Sequence, residues 1–179
     1  MVFDPATRVE VIRTYLELPS LHALVASART PDDARLERVG QISPERYRDL
    51  YRLVGEQWFW RDRLKWNDDE LRSHLAAPAI HVWVLQVAGV PAGFFELKVH
   101  PEGDVEVMYF GLAPQVMGRG LGGWMLTRAV RESFALGAHR VILNTCTLDA
   151  PHALPNYIAR GFRIVREERY VADVSVEEG

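Results

Sequence analysis

A glycine-rich stretch in the second half of the chain carries the residue types that bind anions. Gly118, Gly120, Gly122 and Gly123 stand where a predicted strand gives way to a predicted helix. The first N–H groups of a helix lack backbone partners and carry partial positive charge, so an anion such as a diphosphate binds there. Glycine lets the backbone approach phosphates closely, and Arg119 can add charge at the rim. The stretch predicts a phosphate site, with a tight turn that only packs the helix as the alternative.

Two other phosphate-binding motifs fit this stretch poorly. The spacing Gly118-x-Gly120-x-x-Gly123 satisfies the dinucleotide fingerprint, but that motif places its first glycine directly after a strand and an acidic residue about 20 residues further on. Here the residues from Pro114 to Met117 come between strand and glycines, and the next predicted strand ends in Asn144-Thr-Cys. No Gly-Lys-Ser/Thr follows the glycines, so a P-loop NTPase is excluded as well.

Hydrophobic periodicity, capping residues and turn residues predict the elements that position this stretch. Predicted strands cover Arg8 to Leu18, Ala34 to Val39, Ile80 to Val87, Phe94 to Val99, Asp104 to Leu112, Arg140 to Cys146 and Phe162 to Val171. Predicted helices run from Ser43 to about Glu56, from Asn67 to Ala77, from Gly118 to Leu136 and from Ala153 to Arg160, and predicted turns cover Gly89 to Gly93 and Pro101 to Asp104. A long helix between two neighbouring strands implies a parallel pair inside a mainly antiparallel sheet. The fold class expected is mixed α/β (α+β), with helices flanking a twisted sheet.

Three motifs follow one another in this half of the chain. Val107-Met-Tyr-Phe-Gly-Leu-Ala-Pro precedes Gln115-Val-Met-Gly-Arg-Gly, and Tyr157-Ile-Ala-Arg-Gly-Phe comes later. Together they resemble the bulged fourth strand, the Gln/Arg-x-x-Gly-x-Gly/Ala signature and the Tyr-x-x-x-Gly-Phe ending of the GNAT superfamily of N-acetyltransferases. The resemblance covers about Ile80 to Val171. It implies one GNAT-like domain over residues 1–179, with an acetyl-CoA-binding core at 80–172 and mainly acceptor-side strands and helices at 1–79.

One loop departs from the family pattern. Many members have an asparagine seven residues before the tyrosine, whereas this chain has Ala150 there, between Asp149 and Pro151. Asn156 also replaces the usual apolar residue just before the tyrosine. The side-chain contact that this loop usually makes to the cofactor is therefore not carried over.

The resemblance implies direct transfer of an acetyl group from acetyl-CoA to an amine, with CoA leaving as thiolate. A base, an oxyanion donor and an acid assist such a reaction. Tyr157 stands at the family's acid position, and a tyrosine pKa of about 10 keeps its hydroxyl protonated; simple packing of its ring is the alternative. We choose Glu106 as the base, on one side of its strand with Met108 and Phe110. Glu96 on the adjacent strand, or a water chain, remains an alternative.

Backbone and side-chain contacts to the cofactor are also implied by the resemblance. A bulge at Phe110–Leu112, with Gly111 tolerating the kink, would free N–H groups for the oxyanion and the cofactor arm. Asn144 lies where the family splays its sheet, and its amide either bonds the cofactor or a water, or caps the strand. The expected cofactor-binding residues are Phe110, Gly111, Leu112, Gln115, Gly118, Arg119, Gly120, Leu121, Gly122 and Asn144.

An aromatic cluster in the first half has two interpretations. Tyr47, Tyr51, Trp58, Trp60 and Trp66 either pack the first two helices onto the sheet, which we favour, or wall an acceptor site for a cationic or aromatic amine. The six histidines show no metal-ligand spacing, so no metal is expected.

Composition narrows the function further. The 179 residues, 48% of them hydrophobic and 25% charged, fit one globular domain, and a net charge of −3 argues against a nucleic-acid partner. No apolar run approaches the roughly 20 residues of a membrane span, and the start Met1-Val-Phe-Asp does not resemble a signal peptide. With one cysteine, Cys146, a reducing compartment is expected. We expect a cytoplasmic monomer or homodimer that acetylates a small-molecule amine and has no membrane partner. The alternatives are a catalytically silent acyl-CoA sensor or partner module, and a longer acyl donor.

Overall fold

Seven strands and four α-helices make up residues 7–175, the part of the chain that this computed structural model describes. The strands are β1 (Arg8–Leu18), β2 (Ala34–Val39), β3 (Ile80–Val87), β4 (Val90–Val99), β5 (Val105–Leu112), β6 (Val141–Cys146) and β7 (Arg163–Asp173). The helices are α1 (Pro44–Gly55), α2 (Asp68–Ala76), α3 (Leu121–Ala135) and α4 (Ala153–Ala159). Within this range no helix combines the length and apolar character that crossing a membrane requires. The residues Met1–Ala6, on which the expectation about a signal peptide rests, lie outside it.

The strands form one sheet in the order β2-β3-β4-β5-β6-β1-β7. All neighbours are antiparallel except β5 and β6, which run parallel and pair only through Val105 with Val141 and Glu106 with Ile142. Beyond these two pairs the carboxyl ends of β5 and β6 separate and leave a gap. This confirms a mixed fold with one parallel, splayed strand pair.

The first strand lies inside the sheet. β1 pairs with β6 through Arg13–Leu18 and with β7 along nearly its whole length. Leu16 and Leu18 of β1 are buried in the core with β6. β1, although it belongs to residues 1–79, therefore completes the sheet beside β6. The connecting segment 19–33 then returns across the sheet to β2 at the far edge.

Two hydrophobic clusters cover the two sides of the sheet. On the α1/α2 face, Tyr47 and Leu71 pack against Phe94 of β4. On the α3/α4 face, Met125 packs with Phe95, the next residue of β4. Successive strand residues point to opposite sides, so a residue's cluster tells which face its side chain occupies.

The starts of α1 and α2 follow from local capping chemistry. The Ser43 hydroxyl accepts a hydrogen bond from the N–H of Arg46 at 3.1 Å, and Pro44 is the first helical residue. Asn67 and Glu70 form a reciprocal capping box at α2. Both predicted helix starts are confirmed.

One hairpin turn is shorter than the sequence suggests. The turn expected at Gly89–Gly93 consists of Ala88 and Gly89, with φ of 50° and 80°. Two successive residues with positive φ are the geometry of tight hairpins, so β4 begins at Val90.

The helix after the glycine-rich stretch begins later than expected. Gly118 and Gly120 have φ of 77° and 76°, which a right-handed helix cannot contain. α3 therefore starts at Leu121, and both glycines belong to the turn before it. Gly137, with φ of 91°, follows the helix as predicted.

Candidate active site

A cavity of about 1060 Å³ opens where β5 and β6 separate. It brings together Glu106, Phe110, Gly111, Leu112, Gly122, Asn144 and Tyr157, all singled out from the sequence. Gln115, Gly118, Arg119 and Gly120 lie exposed at the start of α3, outside the lining of the cavity, and Leu121 is buried beneath them. The predicted residues thus form two neighbouring groups, one around the gap and one at the glycine-rich turn.

The bulge in β5 lies two residues earlier than expected. Positions 96 and 97 of β4 pair with Tyr109 and Val107, which leaves Met108 as the extra residue. Phe110–Leu112 pair with β4 in regular register, so the expected position of the bulge was wrong.

This register decides which edge of β5 its backbone donors face. The N–H of Ala113 donates to the carbonyl of Ala92, toward β4, at 2.8 Å. Because successive N–H groups alternate between the two edges of a strand, those of Phe110 and Leu112 face the gap toward β6. Both residues lie beyond the last β5–β6 pair. Two backbone donors therefore point into the opening.

Gly111 is glycine for a reason other than a kink. Its backbone is not in the left-handed region. A β-carbon there would overlap Cγ1 of Val54 on α1 and lie 3.5 Å from Cη2 of Trp60. The missing side chain makes room for packing on the α1/α2 face, which corrects the expectation.

Glu106 lies on the α1/α2 face and lines the cavity. Its carboxylate contacts Nε2 of His100 at 3.0 Å, and its side chain is 23% exposed. The expected common side with Phe110 was wrong, because the extra residue Met108 turns Phe110 toward the α3/α4 cluster. Glu106 remains within reach of solvent and of a molecule in the cavity.

Tyr157 reaches the gap from the opposite face. Its ring packs edge-on against Phe110 and Phe162, with centroids 6.1 and 6.0 Å apart. Burial, together with the charge of Asp149, raises the pKa of the hydroxyl well above its ordinary value. The group is therefore a protonated donor at neutral pH. The candidate acid and the candidate base flank the gap from its two sides.

Asn144 has an exposed side chain that lines the cavity. Its neighbour Leu143 belongs to the α3/α4 cluster, so alternation places Asn144 on the α1/α2 face. Asn144 therefore lies on the same face of the sheet as Glu106.

Glu96, the alternative base, is fully buried in the α1/α2 core. It accepts hydrogen bonds from Tyr47 and Arg63 and contacts His74 Nε2 at 2.9 Å. Burial by itself raises the pKa of Glu96, but the bond to His74, the charge of Arg63 and the bond from Tyr47 outweigh it and lower the pKa. Glu96 is not among the residues that line the cavity. Its geometry fits a structural anchor and not a base.

Replacing Glu96 by glutamine is expected to lower the free energy of unfolding at pH 7 by about 3 kcal/mol, because Arg63 loses its buried partner. Since folding lowers the pKa of Glu96, the stabilisation is present above the ordinary glutamate pKa of about 4.3 and is lost as pH falls toward the folded-state pKa. Urea unfolding at pH 7 and pH 4 measures both effects. The exposed Glu102→Gln is the matched control and should change the free energy by less than about 0.5 kcal/mol. Equal stability of the Glu96 variant and the wild type at pH 7 would contradict the anchor role.

The aromatic cluster divides between core and cavity. Tyr47 is buried in the core, and Trp66 packs against Arg63 and His74. Trp58 and Trp60 line the cavity, and Tyr51 borders it while being fully buried in the core. The packing interpretation is confirmed for Tyr47, Tyr51 and Trp66; that the cavity-lining rings wall an acceptor site stays a prediction.

At the glycine-rich turn, the positive charge of Arg119 is already partly neutralised by an ion pair. Its guanidinium forms an ion pair with Asp33 at 2.8 Å. Asp33 ends the connecting segment 19–33, so this pair ties the segment to the turn.

Two further arginines lie against the turn. Arg29, on the segment 19–33, has Nε and Nη1 3.2 Å from where a β-carbon of Gly120 would stand. Nη1 of Arg160 lies 3.1 Å from the corresponding point of Gly123, and its Nε is buried without a hydrogen-bond partner among the described residues. Guanidinium groups beside the positive end of a helix favour an anion between them. The residues present fit a diphosphate.

Sequence reasoning missed both arginines. Arg160 stands four residues after Asn156, whose Nδ2 lies 3.5 Å from where a β-carbon of Gly122 would stand, and this helical spacing was an available signal. Arg29 had no such signal, because it is distant from the turn along the chain.

The chain matches the sequence model of the acetyltransferase (GNAT) family over residues 47–162. No curated protein matches it.

Solved structures share the fold at low sequence identity. A functionally unknown conserved protein from Staphylococcus epidermidis has a TM-score of 0.63 at 14% identity, over 96% of this chain and 64% of its own. A GCN5-related N-acetyltransferase from Kribbella flavida has a TM-score of 0.64 at 18% identity, over 95% of this chain and 61% of its own. This chain thus spans less than two thirds of the length of either protein. An aminoglycoside acetyltransferase from an uncultured soil metagenomic sample has a TM-score of 0.60 at 14% identity, over 72% of this chain and 88% of its own.

Proposed function

Because this chain belongs to the GNAT family of acetyltransferases, we propose that it transfers an acetyl group from acetyl-CoA to the primary amine of a small molecule within a ternary complex. The observation that carries the proposal is the gap between β5 and β6. The N–H groups of Phe110 and Leu112 face this gap, and Glu106 and Tyr157 flank it. A donor on the α3/α4 face and an acceptor on the α1/α2 face would meet there.

The glycine-rich turn would hold the diphosphate of CoA. Gly118 and Gly120 adopt positive φ, and the first N–H groups of α3 follow them. Arg29 and Arg160 add positive charge at the same place. When bound, acetyl-CoA supplies a thioester whose acyl carbon is open to attack by an amine.

The chain's own residues account for the protons of the reaction. Glu106 takes one proton from the ammonium group and releases it to solvent, so that a neutral amine forms the new C–N bond. The N–H groups of Phe110 and Leu112 stabilise negative charge on the carbonyl oxygen. As the C–S bond breaks, Tyr157 gives its proton to the sulfur. The nitrogen then loses its second proton, which returns the Tyr157 hydroxyl to its protonated form.

The acceptor we propose is a small amine that carries a positive charge. The cavity is lined by the aromatic rings of Trp58 and Trp60 and by the carboxylates of Asp62 and Asp173. Three basic side chains also line it, Arg13, Arg61 and Lys65, of which Arg13 donates to Tyr170 and Arg61 to the carbonyl of Ser175. Aromatic faces and carboxylates both favour cations. One solved structure of this fold is that of an aminoglycoside acetyltransferase, so aminoglycosides belong in the first panel tested.

An assay of thiol release with a panel of amines tests the proposal. We expect acetyl-CoA to raise the melting temperature and at least one cationic amine to release CoA. A melting temperature unchanged by saturating acetyl-CoA would overturn the proposal. A clear shift with no thiol release from any amine would favour the silent sensor.

Removing Arg29 or Arg160 by alanine substitution is expected to weaken acetyl-CoA binding about tenfold each, because each loses a charge-assisted contact to phosphate. Calorimetry with acetyl-CoA and with acetyl-pantetheine, which lacks the diphosphate, measures the effect. The affinity of the variants for acetyl-CoA should fall, whereas their affinity for acetyl-pantetheine should stay that of the wild type. Arg119→Ala is the matched control and should cost less than about threefold, because Asp33 already pairs with Arg119. Equal losses for both donors would rule out phosphate contacts.

A further inference from the structure

Trp60 occupies space that the missing side chain of Gly55 leaves open. A β-carbon on Gly55 would overlap the Trp60 side chain, and one on Gly111 would lie 3.5 Å from its Cη2. The indole also packs against Tyr51 and Tyr109, with ring centroids 5.5 and 5.1 Å away. A side chain packed on so many sides has one available position.

The indole spans the open end of the gap on the α1/α2 face. One edge lies at Gly111 on β5, and its Nε1 donates to Oδ1 of Asp149, just after β6, at 3.3 Å. Asp149 is itself held, since its other oxygen accepts from the Thr145 hydroxyl at 2.6 Å and from the N–H of Cys146 at 3.1 Å. Trp60 is thus hydrogen-bonded to the loop after β6 and lies beside β5 at Gly111.

Side chains of the opposite face also border the cavity. Tyr157 and Phe110 belong to the α3/α4 cluster, and Tyr157 lines the same cavity as Trp60. The N–H groups of Phe110 and Leu112 face the gap between these two walls. An acyl group whose oxygen accepts from those donors would lie beside Gly111, where the edge of the indole is.

We propose that Trp60 sets the length of the acyl group that this protein accepts and limits the donor to acetyl or a similarly short group. The inference rests on the proposed function, because it takes the gap as the place of the thioester. A rigid indole held by its packing and by the bond to Asp149 cannot make way for further methylene groups as a flexible side chain would. Two extra methylenes should therefore weaken binding by roughly tenfold or more.

The test is calorimetric binding of acetyl-CoA and butyryl-CoA to the wild type and to Trp60→Leu. We expect the wild type to bind butyryl-CoA at least about tenfold more weakly than acetyl-CoA, and Trp60→Leu to bind both within about twofold. Trp60→Phe keeps a ring at this position but loses the bond to Asp149, and should reduce the ratio by about threefold. Because binding is measured, no acceptor has to be known.

Trp66→Phe is the matched control, since Trp66 packs on Arg63 and His74 and is not among the residues that line the cavity. It should keep the wild-type ratio. An unchanged ratio in Trp60→Leu, or in Trp60→Phe should the leucine variant fail to fold, overturns the inference alone. No binding of either thioester to the wild type overturns both the inference and the proposed function.

Discussion

Replacing Gly120 by glutamate is expected to weaken acetyl-CoA binding by a factor of about 100 or more. Gly120 precedes α3 with φ of 76°, at the end of the helix that attracts anions. A carboxylate there would repel the diphosphate and compete with it for Arg29, whose side chain lies directly on this glycine. The loss should be visible as the disappearance of the acetyl-CoA-induced shift in melting temperature.

Gly120→Ala separates charge from backbone strain. Alanine pays the same cost of positive φ, about 1–2 kcal/mol, without adding a charge. Its β-carbon meets only the movable end of Arg29. We expect this variant to keep most of the shift. Equal loss in the alanine and glutamate variants would assign the effect to turn geometry, and wild-type binding by the glutamate variant would remove the diphosphate from this turn.

Replacing Tyr157 by phenylalanine is expected to lower kcat by about 100-fold, because the leaving thiolate loses its proton donor. The affinity for acetyl-CoA should change by less than about threefold, since the phenylalanine ring keeps the packing against Phe110 and Phe162. Steady-state kinetics with an amine found in the panel, together with calorimetry, separates the two quantities.

Tyr15→Phe provides the matched control for the loss of a hydroxyl. Tyr15 lies on β1, donates to Glu168 and is not among the residues that line the cavity. Its kcat should equal that of the wild type. A wild-type kcat in Tyr157→Phe would leave the tyrosine with a packing role only, and the sulfur would then take its proton from water.

The elements themselves were accessible from the sequence because their signals are local. Ser43 and the pair Asn67 and Glu70 define the starts of two helices through bonds to N–H groups three residues away. The change from strand to helical periodicity around the glycine-rich turn likewise implies the parallel strand pair. Where two local signals compete, the predicted boundary of an element differs from the observed one. α3 starts three residues later than predicted because Gly118 and Gly120 belong to the turn before it.

Register and burial were not accessible in this way. The extra residue Met108 in β5 depends on pairing with β4, and it decides both the face of Phe110 and the direction of its N–H group. Glu96 and Glu106 look alike in the sequence, yet one is buried with Arg63 and the other borders the cavity. The difference comes from neighbours distant in the chain.

By itself, the sequence determined the order of the elements, the family resemblance and the glycine-rich turn before α3, since each rests on residues that are neighbours along the chain. The tertiary structure alone decided what surrounds them. It placed β1 beside β6, brought Arg29 onto Gly120 and seated Trp60 between Gly111 and Asp149. These contacts join residues far apart in sequence, and they exist only once the sheet register and the packing of its two faces are set.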